Sequence, residues 1–187
     1  MPLTTLDPVT ALIVVDLQKG VTALPTVATP MTEVVKNAVA LTKAFRKHKL
    51  PVVLVNAAGV APGRAEQSRK LDNVPPEWFE LIPELDKQPD DHLVTKRTWG
   101  AFSNTDLAAW LKSKNVTQVV VCGVATSIGA ESTARQAHEL GLNITLAIDA
   151  MTDMSAEAHT NSITRIFPRL GETGTSQQVI DLLNARG

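Results

Sequence analysis

Two residues of opposite charge each follow a short apolar run. Asp16 comes after Ala-Leu-Ile-Val-Val at 11–15, and Lys96 after Leu-Val-Thr at 93–95. A carboxylate and an ammonium brought to one edge of a buried sheet hold each other ionised, whereas desolvation drives both toward neutrality. A pair balanced in that way suits proton transfer near neutral pH. The same residue types serve equally well as a helix N-cap and a solvated surface lysine, so the pattern alone leaves both readings open. Asn56, Gly123 and Asp149 end apolar runs in the same manner. From Gly123 the chain runs Gly-Val-Ala-Thr-Ser-Ile-Gly-Ala to Ala130 and into a helical pattern. Small residues there admit a ligand close to the backbone, and a helix start offers amide N–H groups to an anion. No dinucleotide-binding, phosphate-loop or nucleophile-elbow spacing occurs in it.

The elements that would position these residues are legible from hydrophobic periodicity. Residues 11–15, 51–55, 118–122 and 143–148 predict strands, with a short further strand at 93–95. Residues 31–48 predict a helix, because Val34, Ala38, Leu41 and Phe45 recur on one face. Further helices are expected over 106–112, 130–140, 156–167 and 176–184, with Gly141 stopping the second of these. Continuous apolar strands alternating with helices mean an α/β fold whose parallel sheet is covered on both faces. In such a sheet ligands bind beyond the carboxyl ends of the strands, where Asp16, Asn56, Lys96, Gly123 and Asp149 fall. The irregular stretch 57–92 reads either as a lid or pocket wall, or as a surface excursion with a short helix around Trp78.

Composition narrows the functional classes. A chain of 187 residues, 44% hydrophobic and 20% charged, suits a single domain spanning 1–187. A net charge of −1 without runs of one sign argues against nucleic acid and anionic membranes as partners. One cysteine excludes an internal disulfide framework and a thiolate-rich metal cluster. The first ten residues lack a secretory pattern, and no apolar run approaches the roughly 20 residues of a membrane span. A cytoplasmic location is expected.

Three segments carry a resemblance. Asp16 in Val-Val-Asp-Leu-Gln (14–18), Lys96 in Val-Thr-Lys-Arg-Thr-Trp-Gly-Ala-Phe (94–102), and 123–137 (GVATSIGAESTARQA) resemble signatures of the isochorismatase-like cysteine hydrolases, in that family's order and spacing. The resemblance covers nearly the whole chain and is weakest over 57–92. It implies a three-layer α/β/α sandwich around a mostly parallel, Rossmann-like sheet of about six strands. It also implies an aspartate, lysine and cysteine catalytic set, a non-prolyl cis peptide, here Val124–Ala125, and a homo-oligomer, dimer or tetramer. The aspartate falls on Asp16 and the lysine on Lys96. The cysteine position falls on Gly129.

Glycine cannot form the covalent intermediate of thiol-dependent amide cleavage. Cys122 lies seven residues earlier, at the end of a strand, and reads as a buried apolar residue. Ser127 and Ser132 are hydroxyl candidates without a histidine beside them in sequence. A branch of the family that hydrolyses a vinyl ether needs no nucleophile, and this chain resembles it in lacking the cysteine. There Asp16 would be the general acid and Lys96 would orient it or the substrate. Free amides around Ile128 to Ala130 would hold a carboxylate, with Gln18, Val124 and Ala125 lining the pocket. Arg64 and Arg97 are candidate carboxylate clamps, and Trp99 and Phe102 candidate pocket walls. The substrate expected is a small carboxylated molecule. No cofactor is called for, and His48, His92, His138 and His159 show no metal-ligand spacing, so no metal is expected. The competing expectation is an inactive family member that binds a ligand or regulates a partner.

Overall fold

A computed structural model describes residues 3–67 and 73–186 of the chain. Its strands are β1 (Thr10–Val15), β2 (Val52–Ala57), β3 (His92–Lys96), β4 (Gln118–Val124), β5 (Asn143–Thr152) and β6 (Glu172–Gly174). They form one sheet in the order β3-β2-β1-β4-β5-β6, and every neighbouring pair is parallel. The helices are α1 (Lys19–Thr22), α2 (Met31–Lys47), α3 (Leu107–Ser113), α4 (Glu131–Glu139), α5 (Ala156–Asn161), α6 (Phe167–Leu170) and α7 (Ser176–Asn184).

The period of two along β1 divides the core. Leu12 and Val14 point to one face, where they join Leu54, Val120 and Cys122 beneath Val34, Ala38, Leu41 and Phe45 of α2 and Val179 and Leu183 of α7. Ala11, Ile13 and Val15 point to the other, with Val53, Val55, Val119 and Val121 beneath Leu107 and Leu111 of α3, Ala134 and Ala137 of α4, and Phe167 of α6. Helices on both faces of an all-parallel sheet give the three-layer α/β/α sandwich expected. All six residues of β1 and all seven of β4 are buried, as befits the two central strands.

Several boundaries differ from the sequence reading. The strand expected to end at 148 continues through Asp149 to Thr152 and shifts register against β4 between Val121 and Gly123. Asp149 therefore lies inside the strand. Its carboxylate accepts from Ser176 N at 2.6 Å and Ser176 Oγ at 2.7 Å, so it steadies the first turn of α7. Asn56 and Gly123 likewise lie within β2 and β4, and Lys96 is the last residue of β3. The helix expected over 156–167 is α5, a π-type turn at Ser162–Ile166 and then α6. Pro168, in the first turn of α6, has no N–H to continue the i→i−4 ladder, which loosens the helix ahead of it. α1 and β6 were not anticipated; they have four and three residues, too few to show a period. Gly141 does stop α4, at φ +77°. No helix of the described residues is long and apolar enough to cross a membrane.

Candidate functional site

β1 delivers Asp16 to the carboxyl edge of the sheet. Its amide still donates to Val55 O at 2.9 Å, as a continuing strand would, but its φ of 53° turns the chain out of the sheet plane. β3 delivers Lys96 from two strands away, across β2. The long lysine side chain closes that gap, and Nζ reaches Asp16 Oδ2 at 2.7 Å. Nζ also donates to Thr98 O at 3.3 Å. The two residues are only 7% and 2% exposed. The other carboxylate oxygen, Asp16 Oδ1, is buried and has no hydrogen-bond partner among the described residues. Burial raises the Asp16 pKa from an ordinary carboxylate value to about 6, and the attraction of Lys96 restrains that rise.

β4 brings the third participant. Gly123 has φ +113°, and a Cβ there would lie 2.0 Å from Val15 O, so only glycine lets β4 pass β1 at this point. The Val124–Ala125 peptide is cis, as the resemblance implies. A π-type turn at Thr126–Ala130 follows and leads into α4. Gly129 is buried in this turn. A Cβ built on it would sit 3.2 Å from Asp16 Oδ2 and 3.0 Å from both Val124 O and Val15 Cγ1. Asp16, Lys96 and Gly129 thus converge from three strands.

Two of the amides expected to be free are not. Ile128 N and Ala130 N both donate to Ala125 O at 3.1 Å, because the wide turn wraps back on that carbonyl. Ser127 N and Oγ both donate to Asp153 Oδ2, at 2.8 and 2.7 Å, so that hydroxyl is held by a carboxylate rather than by a histidine. Val124 and Ala125 are buried, and Ile128 is half-buried against the core on the α2 side. Ser132 is half-buried on α4.

A roof lies over the pair. Gln18 is fully buried, and its amide nitrogen donates to Ala57 O and Trp78 O, both at 3.1 Å, while its oxygen accepts from Ala57 N at 2.7 Å. With both of its N–H groups engaged, Gln18 is a staple between β1 and the return leg of 57–92 rather than a donor to a ligand. Asn56 Nδ2 adds a bond to Phe79 O at 2.9 Å, and Lys19 N donates to Glu80 O at 2.9 Å. The short helix expected around Trp78 is a 3-10 turn at Pro76–Phe79. Gly20 packs directly against the Trp78 ring, since a Cβ there would meet it at 2.1 Å. The outward leg, 60–67, is exposed and includes Arg64, while 68–72 lie outside the described residues.

The remaining candidates sit at the rim or away from it. Arg97 is exposed, with one guanidinium N–H donating to Ala58 O at 3.3 Å. Trp99 is 62% exposed. Phe102 is half-buried against the core on the α3 and α4 side and borders a surface groove with Ala108, Lys112, Leu140 and Leu142. Among the described residues no group of three or more His, Cys, Asp or Glu comes together as a cation cage. Two residues next to the turn were missed: Asp153 and His159. Asp153 follows an apolar strand just as Asp16 does, once β5 is allowed to run on to Thr152.

Comparison with known proteins gives a consistent answer. Residues 10–178 match the isochorismatase domain. The chain is 38% identical over 179 residues to the uncharacterized isochorismatase family protein YwoC of Bacillus subtilis, covering 92% of this chain and 93% of that one. An isochorismatase family protein from Burkholderia thailandensis has the same architecture, with a TM-score of 0.92 and 39% identity over 96% of this chain and 98% of its own. A cysteine hydrolase from Pseudomonas syringae pv. phaseolicola matches at a TM-score of 0.78 and 26% identity, over 94% of this chain and 92% of its own. With sequence and architecture agreeing over nearly its full length, the chain belongs to the isochorismatase family.

Proposed function

We propose that this protein is a hydrolase of a small carboxylated substrate that works without a covalent thiol intermediate, by acid-catalysed opening of an isochorismate-type vinyl ether. The observation that carries the reading is the buried Asp16, with one oxygen on Lys96 at 2.7 Å and the other without a partner. Its pKa of about 6 leaves roughly a tenth of the molecules protonated at pH 7, enough for a general acid near its working range. Gly129 stands where the resemblance puts the family cysteine, and it supplies no nucleophile. Cys122 does not replace it: the thiol is fully buried in β4, and burial holds its pKa far above the ordinary thiol value.

In this reading Asp16 gives its proton to the terminal carbon of the vinyl ether. The double-bond electrons form the new C–H bond and leave an oxocarbenium ion at the ether carbon. Lys96 keeps the resulting carboxylate ionised and in place. Water adds to the cationic carbon and returns a proton to Asp16. The hemiketal then collapses: its hydroxyl proton passes to the departing oxygen, the C–O bond breaks, and pyruvate and the ring alcohol leave. Arg97 and Arg64, both exposed, are the cations we assign to the substrate carboxylates.

Pyruvate release from isochorismate tests this directly. Release by the wild type that falls at least a hundredfold in Asp16→Asn supports the acid role. No release above background from either protein refutes the substrate and favours a ligand-binding role for the same pocket.

A further inference from the structure

The turn that carries Gly129 is held by two side chains, one from the β5–α5 connection and one from α5. Asp153 is 2% exposed; its Oδ2 takes the Ser127 amide and hydroxyl, and its Oδ1 accepts from Ser155 N at 3.2 Å. One residue earlier in the turn, Thr126 is fully buried. Its hydroxyl oxygen lies 3.1 Å from Thr152 O and 2.8 Å from Nδ1 of His159, a half-buried residue of α5. A hydroxyl has one proton, and a carbonyl only accepts. If Thr126 gave its proton to Nδ1, two bare oxygens would face each other at 3.1 Å. The proton therefore points to Thr152 O, and Nδ1 carries its own proton and donates to Thr126. Neutral His159 is fixed as the Nδ1–H tautomer, and Nε2 is the nitrogen that titrates.

We infer that His159 is a positioning residue: by clamping Thr126 while Asp153 clamps Ser127, it sets where Gly129 stands opposite Asp16, and its protonation adjusts that placement. Both clamps grip consecutive residues at the start of the turn, immediately after the cis peptide, so a shift in either moves the backbone at Gly129. Charging the ring strengthens the Nδ1–H donor to Thr126. Among the charged groups around His159, Asp153 at the end of β5 favours the imidazolium, while partial burial opposes it and prevails, leaving the pKa below the ordinary imidazole value. Glu131 on α4 is bonded to Ser162 and Arg135, and Glu157 is exposed on α5 itself. Asp16, whose pKa burial raises, is the titratable group on the far side of the turn.

The consequence for turnover rests on the proposed function, but the clamp has a readout that does not. Backbone amide shifts of residues 126–130 and histidine ring signals are followed by NMR from pH 5 to 8 in wild type, His159→Gln and Asp16→Asn. The wild-type turn is expected to follow two titrations, His159→Gln only that of Asp16, and Asp16→Asn only that of His159. Turn amides in Asp16→Asn that ignore the His159 ring titration would overturn the inference, whether or not His159→Gln folds. Hydrogen exchange separates a clamp from mere proximity. His159→Leu should exchange the Ile128 and Ala130 amides about tenfold faster, as expected for one lost hydrogen bond, and His159→Gln, which keeps a donor, should restore them. Equal exchange in all three proteins would refute the clamp. If isochorismate is turned over, His159→Gln should also lose one limb of the pH–rate profile. If it is not, the function fails while the titration and exchange results still decide the clamp.

Discussion

Replacing Lys96 by methionine separates the charge of the ammonium from the packing of its stem. In the wild type Asp16 rises from 3.8 to about 6 on folding, so the folded state holds a proton that the unfolded state has released between those values. The contribution of Asp16 to stability is therefore greatest below pH 4, falls by roughly 1.4 kcal/mol per pH unit up to pH 6, and then levels off, a change of about 3 kcal/mol from this group. In Lys96→Met the attraction that restrains the rise is gone. Asp16 then stays protonated in the folded state to higher pH, and the decline continues through pH 7 and 8 at the same slope. The variant should therefore lose about 1 kcal/mol more than wild type for each pH unit above 6 and approach wild-type stability near pH 5. Urea denaturation at pH 5, 6, 7 and 8 measures this. Stability curves for the two proteins that run parallel across the range would refute the account of Asp16 as a desolvated acid restrained by Lys96.

Other perturbations follow from the same geometry. Gly20→Ala pushes a methyl into the Trp78 ring, so the roof should swing away, with red-shifted tryptophan fluorescence and a loss of about 1–3 kcal/mol; unchanged emission would contradict the packing. Gly129→Cys needs shifts of only tenths of an ångström at Val124 O and Val15 Cγ1, and it should create one thiol that reacts with an alkylating agent in the folded protein. The wild type, whose Cys122 is fully buried, should show none; a reactive native wild type would overturn that placement. Asp149→Ala removes the acceptor for Ser176 N and Oγ and should cost about 1–3 kcal/mol in denaturation, with little effect on any activity at Asp16 and Lys96. A neutral result there would mean that water replaces the carboxylate.

The sequence was most legible where burial on both faces forces a continuous apolar strand. β1, β2 and β4 are such strands, and Asp16 and Lys96 stand out against them. α2 and α7 were equally plain, the first by its apolar stripe and the second by its pattern over 176–184. β5 was cut short because Asp149 looks like a strand end, and its tertiary partners Ser176 and Asn37 make an aspartate tolerable within the strand. The same truncation hid Asp153. Gln18 was legible as a site residue but not as a staple, since both carbonyls that it binds belong to a segment 39 and 60 residues away. The amides of Ile128 and Ala130 were misjudged because a wide turn and an ordinary helix start have the same sequence signature.

The strand order has a consequence for how such a site can change. Both halves of the ion pair come from residues 10–96, Asp16 directly after β1 and Lys96 at the end of β3, whereas the backbone facing them comes from the β4 side of the sheet. Position 129 touches the pair only through its missing Cβ, near one carboxylate oxygen. A single codon there can add or remove a side chain while the Asp16–Lys96 ion pair keeps its own strands, partners and burial. The fold thus keeps the ion pair and the backbone that faces it on separate halves of the sheet, so that a change at one leaves the other's supports in place.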